Sequence, residues 1–118
     1  MYVTQLIAMK TACSFSAASD SWTAVSTTGQ APSARTGHAA VIVDDVMYVI
    51  GGTNGKTAFG DIWALSLSTL QWNIVGSSGF VPRSHHSASV VDGKIYVHGG
   101  KSSSGTVLNS MDIFDPGM

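Results

Sequence analysis

The chain has 118 residues, 44% of them apolar and 11% charged, with six basic and seven acidic side chains and a formal net charge of −1. That apolar share excludes a disordered chain, and a balance this close to neutral gives no electrostatic case for nucleic acid or for an anionic membrane surface. No apolar run approaches the ~20 residues that a membrane helix needs.

Every acid is Asp, and Glu is absent. Together with 13 Gly and few long straight-chain residues, this points away from helices and predicts an all-β chain. Cys13 is the single cysteine, so no internal disulfide forms, and no Asn-x-Ser/Thr acceptor follows Asn54, Asn73 or Asn109. The expectation is a cytoplasmic protein. The N-terminal MYVTQLIAMKTACSFSA lacks a basic start and is interrupted by Lys10, so it is not read as a secretory signal.

In chain order, Met1-Tyr2-Val3 echoes a later Met47-Tyr48-Val49 but has no Gly-Gly after it, so the first ten residues read as a degraded or missing piece. A strand is predicted over Thr11 to Phe15, a turn at Ala18-Ser19-Asp20-Ser21, and a strand over Trp22 to Val25. Ala39 to Val43 and Val46 to Ile50 form two apolar, β-branched runs around Asp44-Asp45, which predicts a hairpin. The turn-rich Thr53 to Lys56 follows, then strands at Asp61 to Leu67 and Trp72 to Val75, and a Gly/Ser/Pro connection from Gly76 to Pro82. The apolar runs are nearly continuous rather than alternating, so both faces of the hairpin are expected to be covered.

The second half repeats the first. Arg35 to Gly52, RTGHAAVIVDDVMYVIGG, recurs at Arg83 to Gly100 as RSHHSASVVDGKIYVHGG. Arg35/Arg83, His38/His86, Tyr48/Tyr96 and the Gly-Gly pairs all lie 48 positions apart. In the second copy the hairpin turn is Asp92-Gly93, the residue pair suited to positive φ. Asn109 to Asp115 resembles the Asp61 strand.

These residues resemble a kelch repeat, a four-stranded β-propeller blade of about 50 residues. The resemblance rests on Pro32-x-x-Arg35-x-x-His38, the hairpin, Tyr48, Gly51-Gly52 and Trp72, and it runs from about Thr11 to Asp115. It implies four-stranded antiparallel blades divided as a partial blade at 1–34 (strands three and four), a complete blade at 35–82 and an incomplete blade at 83–118 (strands one to three). Propellers close with about 4 to 8 blades. A period of 48 in 118 residues gives about two and a half, so an incomplete propeller is expected: an excerpt of a longer propeller, a truncated product, or a piece that completes a ring by association with other copies.

The chemical motifs have structural readings. Gly55-Lys56-Thr57 invites a phosphate-loop reading, but Ile50 stands where that motif needs Gly, and no helix follows. His38, His85, His86 and His98 include imidazoles that suit a metal, yet His38 and His86 are one position in two repeats. Cys13 reads as a small buried hydrophobe. No catalytic, cofactor-binding or metal-binding residue is assigned.

The resemblance places Arg35 and Arg83 where the connection enters the innermost strand. Two roles stay open for them there: bridging blades through carbonyls, or lining the mouth and binding acidic partners with the planar guanidinium. Strands running up and down would bring Gly29 to Arg35, Thr53 to Phe59, Gly76 to Arg83 and Lys101 to Thr106 to one rim. Those loops differ between copies, as expected of a scaffold presenting a binding surface. The candidate partner-binding residues are Arg35, Asn54, Lys56, Phe80, Arg83, Lys101 and Ser102. The leading expectation is a non-catalytic protein-protein interaction module. The alternative is a fragment of a kelch-type carbohydrate-active enzyme or carbohydrate binder whose reactive groups lie in other blades.

Overall fold

The computed structural model describes residues 2–5, 11–16, 21–25, 27–30, 32–33, 35–76 and 81–116, with side-chain environments from residue 27 onward. Ten strands form three antiparallel sheets, each a simple meander. The first holds β1 (Tyr2–Gln5), β2 (Thr11–Ser16) and β3 (Ser21–Val25). The second holds β4 (Ala39–Val43), β5 (Val46–Ile50), β6 (Ile62–Ser66) and β7 (Trp72–Gly76), and the third β8 (Ser87–Val91), β9 (Lys94–His98) and β10 (Met111–Phe114). No helix occurs among the described residues, and so none long and apolar enough to cross a membrane. This is the all-β architecture of an unclosed propeller.

The start of the chain differs from the sequence expectation. Tyr2–Gln5 pairs with β2 in the register Val3↔Cys13, so the echo of Met47-Tyr48-Val49 is an ordered strand. The two hairpins turn as their sequences require. Val43 pairs with Val46 and Val91 with Lys94 across two-residue turns. Asp44 (φ 54°), Asp92 (φ 51°) and Gly93 (φ 75°) take up the left-handed backbone that matches the twist of the flanking strands.

Pairing register sorts side chains onto two faces of the second sheet, because directly opposed residues share a face. Met47, Val49, Trp63, Leu65 and Trp72 make one buried cluster. Ile50 and Ile62 lie on the other face and pack against Ile95 and Val97 of the third sheet. At the edge of this second cluster the Tyr48 and Phe114 rings meet edge to face, centroids 6.0 Å apart. Met47, Val49, Ile50, Ile95 and Val97 are all at most 1% exposed. Each such side chain contributes on the order of 1.5–3 kcal/mol by leaving water.

The two sheets approach most closely through β4 and β8, their innermost strands. The segment after β3 is tied to the opposite edge of the second sheet: Thr28 pairs in parallel with Gln71, and the Trp72 indole donates to Thr27 Oγ1 at 3.1 Å.

Continuous apolar runs suggested cover on both faces of the hairpin, and this holds for β5 but not for β4, where Ala40 and Ile42 are exposed, nor for the third sheet. Val91, Met111 and Ile113 are 52%, 55% and 59% exposed, because no described element packs on that face. Ala58 and Val107 make the same contrast. Each bridges back to the first residue of its loop, yet Ala58, bonded to Ser103 of the next loop, is 5% exposed and Val107 is 82% exposed. An exposed apolar sheet face favours association. The isolated 118-residue chain is therefore expected to self-associate at micromolar concentration, and Ile113→Lys to shift sedimentation toward monomer. A wild-type chain that sediments as a monodisperse monomer would count against this.

Candidate functional site

Each repeat begins with an arginine whose side chain is drawn inward. Arg35 is 1% exposed and Arg83 0%. Arg35 Nη1 donates to the Gly51 carbonyl at 3.1 Å, Nε to the Ser33 carbonyl at 3.2 Å, and both terminal nitrogens to the Asp61 carboxylate. The Phe59 ring lies 4.2 Å below the guanidinium, a favourable cation–π placement. Arg83 donates to the carbonyls of Val81, Gly99 and Ser110, to Ser110 Oγ, and to Asp112 at 3.0 Å.

One guanidinium thus ties its own loop, the end of the second strand and the start of the third. Both guanidinium groups are buried, their hydrogen bonds running to the entry loop and to the second and third strands of the sheet that follows. At Arg83 the main chain crosses between sheets: its carbonyl accepts from Gly52 N–H at 2.9 Å.

The carboxylate partner does not keep the repeat spacing. Asn109, not an acid, stands 48 residues after Asp61. Gly51 N–H bonds the Asp61 carbonyl and Gly99 N–H the Ser110 carbonyl, so Ser110 occupies the Asp61 position and the charge is supplied two residues on by Asp112. Burial alone would raise the Asp61 carboxyl. Hydrogen bonds from Arg35 and Trp63 and the Arg35 charge outweigh it and hold the group below the ordinary Asp range.

His86 closes the seam between the second and third sheets. Its Nε2 lies 2.9 Å from the Ile50 carbonyl oxygen, so that nitrogen carries the hydrogen. His85 N–H donates to the Gly37 carbonyl at 2.7 Å in the same seam. Gly51 has φ 64°, and a Cβ there would lie 2.6 Å from the Arg83 carbonyl oxygen, so only glycine allows this approach. Burial, opposed by the Ile50 hydrogen bond and reinforced by the charges of Arg83, His38 and His85, lowers the His86 pKa to about 4. Among the described residues no group of three His, Cys, Asp or Glu is placed to hold a metal ion.

The loops beside these corners gather at one end of the sheets. Thr36 bridges to Thr53, Thr53 to Ala58, Ser84 to Lys101, and Lys101 to Val107. Asn54 shapes its loop, its Oδ1 accepting from the backbone N–H of Lys56 and Thr57 at 2.9 and 2.8 Å. Ser102 does the same through Ser104 Oγ, 2.9 Å away, and the Thr106 carbonyl. Lys56 and Lys101 are exposed. Phe80 lies outside the described residues.

One contact was not singled out from sequence: Ser103 Oγ accepts from Ala58 N–H at 2.7 Å, joining the loops of successive sheets. A serine in a run of three gives no signal of that role. At the opposite end, a cavity of about 320 Å³ opens between the hairpin tips, with Asp44, Asp92 and Asp115 around Tyr48.

The profile of the KLHDC2/KLHL20/DRC7 kelch-repeats domain matches residues 5–118. Among curated proteins, the tRNA wybutosine-synthesizing protein 2/3/4 of Oryza sativa subsp. japonica is 42% identical over 87 residues, covering 71% of this chain and 8% of the relative. Host cell factor 2 of Homo sapiens is 40% identical over 87 residues, 67% of this chain and 11% of that protein. The Rab9 effector protein with kelch motifs of Bos taurus is 28% identical over 107 residues, 82% of this chain and 28% of that protein. The chain therefore spans a small part of each of these relatives.

Arg35→Ala is expected to cost ~3–5 kcal/mol, because it leaves the partly buried Asp61 charge without its partner, read as a fall in the urea midpoint. Stability also depends on pH through His86. An unfolded imidazole takes up its proton near 6.5 and the folded one only near about 4. The unfolded chain binds more protons between those values, so stability falls as pH drops through that window. His86→Gln keeps a donor for the Ile50 carbonyl and removes the titration. Its urea midpoint should change less between pH 7 and pH 4.5 than the wild type's, and an equal change would exclude His86 as the source.

Proposed function

The chain belongs to the kelch-repeat family, and on that premise we propose that it is a non-catalytic protein-interaction module, a segment of a propeller scaffold that binds its partner through the loop rim. Kelch repeats in general serve protein–protein interaction. The observation that carries the rim reading is the use made of Arg35 and Arg83. The most strongly interacting groups of each repeat are buried and committed to holding loops in place, which leaves the exposed loop residues free to vary.

Asn54, Lys56, Lys101 and Ser102 form the proposed contact surface. Arg35 and Arg83 act beneath it by fixing the loops that carry it. Rigid corners beneath loop residues limit the ordering entropy that binding costs. The repeat boundaries at 34/35 and 82/83, self-association into a larger ring and residence in the cytoplasm belong to the same proposal. The first two are supported by the 48-residue spacing and the exposed outer face, the last by the lone Cys13 and the missing glycosylation acceptors.

A photo-crosslinking amino acid tests this. Placed at Asn54 or Ser102 it should give discrete protein adducts in cells, and placed at Asp45 or Asp92 on the hairpin end it should give few. Alanine at Lys56 and Lys101 should reduce the rim adducts while changing stability by less than about 0.5 kcal/mol, as expected for exposed side chains. Equal labelling from both ends would remove the rim reading.

A further inference from the structure

We infer that the segment received at the rim is an acidic stretch of protein; this rests on the rim reading above. The described charges separate along the strand direction. At the rim end the two arginines are already neutralised within their sheets by Asp61 and Asp112. Lys56 and Lys101 remain exposed there, and among the described residues neither enters an ion pair. At the far end stand four acids, Asp44, Asp45, Asp92 and Asp115, against one base, Lys94. Among the described residues the charge is therefore positive at one end and negative at the other.

The two lysines sit on adjoining loops. Lys56 lies two residues before Ala58 and Lys101 two residues before Ser103, and the Ala58 N–H to Ser103 Oγ bond joins their loops at 2.7 Å. An extended segment laid across that junction presents same-side side chains about 7 Å apart, so successive carboxylates can each find an ammonium. The acidic hairpin tips lie beyond five-residue strands, ~17 Å away and outside the ~8 Å screening length at physiological salt. The rim field thus acts on a short segment without opposition from the far end. A nucleic acid strand is the less fitting anion, because the described rim exposes no free aromatic face for base stacking: Phe59 lies under Arg35.

The test is fluorescence anisotropy of the whole 118-residue chain with three labelled probes: an alternating Asp/Glu-rich dodecapeptide, its Asn/Gln counterpart and a dodecathymidylate. The acidic peptide should bind saturably and more weakly as salt rises. Lys56→Glu with Lys101→Glu should weaken it at least about tenfold, about 1.4 kcal/mol, while Lys94→Glu at the opposite end leaves it unchanged. Binding of the Asn/Gln peptide as tight as that of the acidic one, indifference to the double reversal, or preference for the oligonucleotide would each overturn the proposal. If the acidic peptide fails while rim crosslinks persist, the charge inference falls and the rim reading stands; if both fail, the two fall together.

Discussion

Burial of one guanidinium per repeat is the constraint from which the remaining geometry follows. Taking an arginine out of water costs several kcal/mol unless its donors are met. Here they are met by carbonyls at the ends of strands and by a carboxylate just before the third strand or within it. Satisfying one side chain therefore fixes three pieces of backbone that are distant in sequence. The loops that rise from those pieces inherit their placement, and so does whatever surface they present.

The seam between sheets is built from a different kind of contact. Apolar packing of Ile50 and Ile62 on Ile95 and Val97 supplies most of the cohesion, but it does not by itself choose a register. That choice falls to backbone: the Arg83 carbonyl against Gly51 and Gly52, the His86 ring on the Ile50 carbonyl, and the Gly37 carbonyl on His85. Such bonds tolerate little sliding, so the corner acts as a pin and the apolar face as a broad adhesive. Burial that keeps His86 uncharged makes the pin sensitive to acid.

Much of this architecture was legible in the sequence. The 48-residue recurrence and the two-residue Asp-led turns located the hairpins, since register in a hairpin follows from its turn, and the strands after β1 fell within a residue or two of expectation. The arginine's role was not legible, because a planar fork suits a buried carboxylate as well as a partner's, and spacing alone does not choose. Its acid partner was hidden for a concrete reason: position 109 is Asn, and the carboxylate had moved to Asp112, where a period-48 comparison does not look. Ser103 was hidden because a hydroxyl that bridges loops looks like any hydroxyl in a polar run. Cover on the outer face of the third sheet was inferred from apolar content, which reports what a residue favours and not what is present to meet it.

The Arg83 to His86 corner carries a further meaning for modularity. By sequence it opens the last repeat, yet three of its polar contacts reach backward to Gly37, Ile50 and Gly52 in the preceding one. The unit that is physically complete is thus out of phase with the unit that is copied, by the length of that corner. A repeat exchanged between related chains at the sequence boundary would arrive without the residues that finish its own seam, and would borrow them from a neighbour not selected to supply them. Exchange after His86 would move a sheet together with its latch.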